Sequence, residues 1–427
     1  MSSILSTVTR RPATLCQTKR RLLSTSTTLA SSSRKRINIV EVGPRDGLQN
    51  EPSVISASLK TELIDRLARS GLRTTIEAGS FVSPKWVPRM AGTDQVMRSR
   101  ELRELKRDYL DTVRFSVLVP NEKGMKDVDA LIKEFEKDEP EEGEINGRPN
   151  TIDEIAVFIA ATQAFSMANL NCSISDSVDR IQPLINTAIQ RFGIKVRGYI
   201  SVAINCPYQG RVDPLVVQTL ADKLVQMGCY QVSIADTVGT ATPSEMEACF
   251  NEVVKAVPLD KLALHCHDTY GTAVSTVLHM ARLGVTTIDS AIAGLGGCPY
   301  SPGATGNVAT EDVIYALEGE GYDTGILPPD TVSASQSLLS TASSLQSFAQ
   351  NNIIDQGNRF DWERADALLP IAHVGAWISE QLNRQNSSRV GKALIASKAF
   401  QLQKAREQQE KQRLELEQNE KNAKKKV

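Results

Sequence analysis

Two of the four histidines in this chain stand one residue apart, as His265-Cys266-His267, followed by Asp268. They lie in the run KLALHCHD, whose apolar alternation predicts a β-strand. Residues i and i+2 of a strand share a face, so both imidazoles leave the strand's end on the same side. Two convergent imidazoles are half of a metal site. The plainer reading is a pair of satisfied core histidines, but burying two such rings without a ligand is costly, so metal binding is the reading taken.

The elements that must position this pair follow a regular rhythm. From Ile37 to about Asn307, β-branched runs alternate with amphipathic helical patterns. The strand-like runs are 37–43, 74–80, 112–119, 154–160, 196–204, 230–236, 261–267 and 286–294. Between them lie helical stretches such as SLKTELIDRLARSG, DPLVVQTLADKLVQMG and TAVSTVLHMARLG, the last ending on a glycine. Eight β units alternating with helices predict parallel strands, and a closed (β/α)₈ TIM barrel fits better than an open doubly wound sheet. No G-x-G-x-x-G follows the first strand.

In such a barrel the reactive groups gather where the strands end. The first strand runs into GPRDGLQNE, which brings Arg45 and Asp46 to the mouth. The second carries Glu77, the sixth ends with Asp236, and the seventh with His265 and His267. After the eighth comes AGLGGCPYSPGATGN, with Cys298 and, at its end, Asn307. An aspartate, two histidines and an amide oxygen form a mixed O/N set that suits Mg²⁺ or Mn²⁺ better than structural zinc.

VEVGPRDGLQNE, IEAGSFVSPKWVPRM, GYISVAINCPYQG, LHCHDTYG and GLGGCPYSPGATGNVATED together resemble the signature segments of the 3-hydroxy-3-methylglutaryl-CoA lyase family. The resemblance spans about residues 37–325 and resumes near 366–396 with LNRQNSSRVGKAL. It implies a lyase that cleaves this acyl-CoA to acetyl-CoA and acetoacetate, in leucine degradation and ketogenesis. It implies Asp46, His265, His267 and Asn307 as ligands of a divalent cation (Mg²⁺ or Mn²⁺). Arg45, Cys298, Asp236 and Glu77 take the catalytic positions, and Arg45, Gln49, Ser80 and Ser233 fall where the family contacts substrate. A homodimer in the mitochondrial matrix is the implied setting. The remaining cysteines of the body (Cys172, Cys206, Cys229, Cys249 and Cys266) read as small buried hydrophobes, and His279 and His373 as structural.

Composition narrows the alternatives. Hydrophobic residues make up 41% and charged residues 23%, the formal net charge is −1, and no apolar run reaches the length that spans a bilayer. Neither a nucleic-acid partner nor a membrane is expected. The seven cysteines contain no C-x-x-C pair, which favours a reducing compartment. No acidic residue precedes Glu41, whereas eight basic ones do, so residues 1–36 read as a mitochondrial presequence. The barrel is then 37–325, followed by a Ser/Gln/Asn-rich insertion (326–365), a helical segment completing the domain (366–400) and a charged tail (401–427). That tail can be helical in isolation but is expected to be solvated or disordered rather than a coiled coil, and a second insertion, acidic, falls at 136–150. Claisen-type synthases share the barrel, but their motif usually reads His-x-His-Asn where this chain has Asp268-Thr269. Carboxyltransferases share His-x-His-Asp-Thr, yet no biotin-carrier segment is seen. A catalytically silent scaffold is disfavoured because every ligand position is filled.

Overall fold

The structure is a computed structural model that describes residues 34–109, 112–137, 150–297, 306–327 and 362–424. The described residues from Lys35 onward form one compact unit. Eight strands close into a barrel: β1 (Asn38–Glu41), β2 (Thr74–Ser80), β3 (Val113–Leu118), β4 (Glu154–Ala160), β5 (Lys195–Ser201), β6 (Gln231–Asp236), β7 (Leu262–Cys266) and β8 (Thr287–Ser290). All neighbours are parallel, and β8 returns to pair with β1 through Asn38–Thr287 to Glu41–Ser290. The expected (β/α)₈ architecture is present.

The helices form where the sequence supplies start and stop signals. α1 (Ala57–Arg69) begins under the Ser56 hydroxyl, which accepts the Leu59 N–H. α2 (Thr93–Arg98), α3 (Arg100–Asp108), α4 (Glu122–Lys137) and α5 (Gln163–Leu170) follow. α6 (Ile174–Phe192) opens with a Ser173/Asp176 capping box and stops at left-handed Gly193. α7 (Pro214–Gln226), α8 (Pro243–Val253) and α9 (Ala273–Arg282) cover successive strands, and α10 (Thr310–Gly319) follows β8. The main apolar core lies between these helices and the outer strand faces, with Ile64, Val217 and Ile314 among its fully buried members. Inside the barrel Leu118, Ala156 and Tyr199 form a small buried group. Buried polar side chains, among them Glu77, Arg197, Ser233, His265 and Asp289, share the lumen.

One expectation changes. Several strands are shorter than their β-branched runs: the eighth ends at Ser290, and Ile292–Gly294 is a single 3₁₀ turn. The chain's end is helical and mostly exposed over 401–416. α11 (Trp362–Gln381) is followed by α12 (Arg389–Lys424), a continuous helix of 36 residues. Its high Gln, Lys, Glu, Arg and Ala content favours helix, and pairs such as Gln403–Glu407 and Lys404–Glu407 tie successive turns. Most of the 326–365 and 136–150 insertions lies outside the described residues. Among the described residues, no helix is long and apolar enough to cross a membrane.

Candidate metal centre and active site

The GPRDG segment after β1 is a wide turn of π-helical type, Gly43–Gly47, in which Arg45, Asp46 and Gly47 all donate N–H to the Val42 carbonyl. This turn lifts Arg45 and Asp46 side by side into the mouth. Asp46 meets the two histidines there: one ligand atom from each of Asp46, His265 and His267 lies within 4.8 Å of the others. His267 Nε2 is 3.9 Å from Asp46 Oδ2, and the two imidazole centroids are 5.4 Å apart. The i, i+2 parity therefore brings the rings together as expected. Asn307 pairs with His267 as an isolated bridge, and its Nδ2 donates to Asp46 Oδ2 at 2.8 Å and to the Leu295 carbonyl at 3.1 Å. That leaves the amide oxygen as its free donor atom.

These residues fit a divalent cation. Burial, reinforced by neighbouring His265, pushes the His267 imidazolium down to about 4, so its ring is neutral with a lone pair at physiological pH. Its Nδ1 is buried without a hydrogen-bond partner among the described residues. Burial would raise the Asp46 carboxyl, but the Arg45 guanidinium and both imidazoles outweigh it and hold the group well below the usual carboxylate range. One carboxylate, two imidazoles and one amide oxygen are hard and borderline donors, as Mg²⁺ or Mn²⁺ require.

Arg45 is the other half of the site. Its Nη1 lies 2.6 Å from Asp46 Oδ1, and Nε donates to Glu77 Oε2 at 2.7 Å. Its desolvation, which disfavours the cation, is overcome by Glu77 and Asp46, so the guanidinium stays charged. Glu77 has no exposed surface and also accepts the Tyr199 hydroxyl at 2.6 Å. Through these contacts Glu77 fixes the position of the Arg45 guanidinium.

The other expected site residues are placed less uniformly. Asp236 is buried at the end of β6, with Oδ1 accepting the Gly239 N–H and Oδ2 the Ala241 N–H. Desolvation raises its pKa. Its carbonyl accepts the His267 N–H at 3.2 Å, which ties the end of β6 to the metal trio through the backbone. Ser233 is fully enclosed in the lumen and donates to Asp289 Oδ2 at 2.7 Å. Ser80 is 1% exposed and its Oγ accepts the Val82 N–H, while Gln49 is half-buried on the turn after Gly47. Cys298 lies outside the described residues. The five expected buried cysteines are buried and free, and His279 pairs at the surface with Glu247.

Three residues of the site's support escaped the sequence reading: Arg197, Tyr199 and Asp289, all inward on β5 and β8. The available signal was an arginine and an aspartate inside otherwise apolar strands. The C-terminal segment also reaches the mouth: Arg384 forms an ion pair with Glu51, and Ser387 N donates to the Ala293 carbonyl. A cavity of about 300 Å³ adjoins Asn307, lined also by Asp268, Tyr270, Ser387 and Arg389.

Two buried features around the glycine-rich segment give testable consequences. Gly306 has φ +93°, and a Cβ there would stand 2.5 Å from the Gly296 carbonyl carbon. Gly306→Ala should therefore force the two stems of the Cys298 segment apart and cost about 1–3 kcal/mol in chemical denaturation. An unchanged midpoint would show that the stems are free to move.

Glu311 at the start of α10 accepts the Ala293 N–H, and burial pushes its carboxyl up to about 8. Between the ordinary value of 4.5 and about 8, the native state holds a proton that the unfolded chain has released. This contribution is complete below 4.5 and fades as pH rises through 8. Glu311→Gln, which cannot ionise, should gain on the parent by a few kcal/mol at pH 9 and converge with it near pH 5. Parallel melting curves across this range would contradict the burial account.

The HMGL-like family profile matches residues 36–338. Hydroxymethylglutaryl-CoA lyase from Pseudomonas mevalonii is 40% identical over 363 residues, which is 85% of this chain and 98% of that protein. The mitochondrial human protein of that name is 42% identical over 305 residues, covering 71% and 85%; a cytoplasmic mouse relative is 44% identical over 290 residues, covering 68% and 76%. The crystal structure of the Pseudomonas aeruginosa lyase superposes with a TM-score of 0.66 at 38% identity, over 85% of this chain and 99% of that one. With a profile match spanning most of the chain and relatives covered over most of their length, the chain belongs to the HMGL-like family.

Proposed function

We propose that this protein is a divalent-cation-dependent carbon–carbon lyase that splits (S)-3-hydroxy-3-methylglutaryl-CoA into acetyl-CoA and acetoacetate. The observation that carries this reading is the meeting of the Asp46–His265–His267 trio with a buried, fixed guanidinium 2.6 Å from Asp46. The names of the relatives support the substrate assignment. The cavity beside Asn307 offers an acyl-CoA a place next to the metal centre.

The reaction breaks the bond between the thioester α-carbon and a tertiary carbinol. The carbinol proton leaves, its electrons form the acetoacetate ketone, and the bonding pair passes to the thioester as an enolate. Asp46, His265, His267 and Asn307 would hold the cation, which when bound polarises the carbinol and carboxylate oxygens of the substrate. Arg45, kept charged by Glu77 and Asp46, donates to the enolate oxygen. Both imidazoles are committed as ligands, so Asp236, made more basic by burial, accepts the carbinol proton. Cys298 returns a proton to the enolate carbon; in support, the end of its segment is tethered to the mouth, where Asn50 Nδ2 donates to the Gly297 carbonyl at 2.6 Å. Gln49 and Ser80 supply polar contacts to the substrate.

A chelator should abolish turnover of this thioester, and Mg²⁺ or Mn²⁺ should restore it. Turnover indifferent to the chelator would sink the cation assignment. The same reading takes residues 1–36 as an import signal to the mitochondrial matrix, supported by their acid-free basic composition and by mitochondrial relatives. Import assays with and without these residues decide it. It also takes the working form as a homodimer, which sedimentation of the purified protein checks.

A further inference from the structure

Behind the site, the barrel lumen holds polar side chains that neither the cation nor the substrate is proposed to touch. Arg197 on β5 has no exposed surface, and its Nη2 lies 2.6 Å from Asp289 Oδ1 on β8. On the other side, Asp289 Oδ2 faces His265 Nδ1 at 3.3 Å and accepts the Ser233 hydroxyl. Arg197 Nη1 donates to the Tyr199 oxygen at 2.9 Å, and Tyr199 donates to Glu77, which holds Arg45. A fully enclosed ion pair adds little to stability compared with apolar residues of the same volume, so its presence here calls for another role.

The chemistry of the pair supplies one. A carboxylate locked to a guanidinium at 2.6 Å is ionised and can only accept hydrogen bonds. The imidazole nitrogen that faces it must therefore carry the hydrogen, which puts the lone pair of His265 on Nε2. We propose that Asp289, held in place by Arg197, is a positioning residue that sets the His265 tautomer so that Nε2 is presented to the divalent cation. Through Tyr199 and Glu77, the same Arg197 also steadies Arg45, so one guanidinium braces both halves of the site. The inference rests on the cation reading above.

The first test uses the metal-free full-length protein and ¹⁵N imidazole shifts, with the His265 signals assigned by their loss in His265→Gln. Protonated Nδ1 and bare Nε2 are expected; a protonated Nε2 as the main form overturns the proposal. The second is Asp289→Asn, whose amide can donate to Nδ1 and invert the tautomer. Its affinity for Mn²⁺, titrated without substrate, should fall about 10- to 100-fold. Asparagine leaves Arg197 without a counter-charge, so the double variant Arg197→Met/Asp289→Asn removes both charges and serves if the single variant does not fold; the same loss is expected. Parent-like Mn²⁺ affinity in either folded variant overturns the proposal. A parent protein that binds no Mn²⁺ would overturn the cation reading itself, and this proposal with it.

Discussion

Arg45→Met should lower kcat by roughly two orders of magnitude or more while leaving Mg²⁺ or Mn²⁺ affinity near the parent's. The guanidinium meets negative charge that develops only as the carbon–carbon bond breaks, so its contribution belongs to the transition state. Its position is not adjustable: Glu77 and Asp46 grip it from two sides, and Glu77 is in turn fixed by Tyr199. Methionine fills comparable volume, and removing a positive charge beside Asp46 does not weaken that carboxylate as a ligand. Steady-state kinetics and Mn²⁺ titration together check the expectation. A loss confined to KM would make Arg45 a substrate-binding group instead.

Asp46→Ala and His267→Ala should show the opposite pattern, with cation affinity and kcat falling together. Each change removes a donor atom from a trio whose members lie within 4.8 Å of one another, at a cost on the order of several kcal/mol. Asp46→Ala also takes away the acceptor for Arg45 Nη1 and Asn307 Nδ2, so its kcat should fall further than that of His267→Ala. Calorimetric titration without substrate separates the cation effect from turnover. A variant with parent-like affinity and activity would leave the ligand set.

The barrel and much of its mouth were legible because the signals there are local. The strands 74–80 and 154–160 were read with their observed bounds, since β-branched runs end abruptly at polar or small residues. The His265/His267 pairing followed from strand parity alone. Arg197, Tyr199 and Asp289 were not read as a unit, because nothing local says that residues 92 positions apart share one lumen. A charged residue in an apolar strand signals an interior partner, but only closure of the barrel names it. The bond from Ser233 to Asp289 was hidden for the same reason, since 56 positions separate the two residues. The end of the chain was read as a solvated tail that can be helical in isolation, because it has almost no apolar face while its residue types favour helix without one.

The central claim is tested most directly by product analysis of the purified protein given (S)-3-hydroxy-3-methylglutaryl-CoA and Mg²⁺. Mass spectrometry should find acetyl-CoA and acetoacetate in equal amounts, with no free CoA formed. Free CoA with intact 3-hydroxy-3-methylglutarate would mean thioester hydrolysis, and no products with either Mg²⁺ or Mn²⁺ would mean a different acyl substrate; either result would contradict the account.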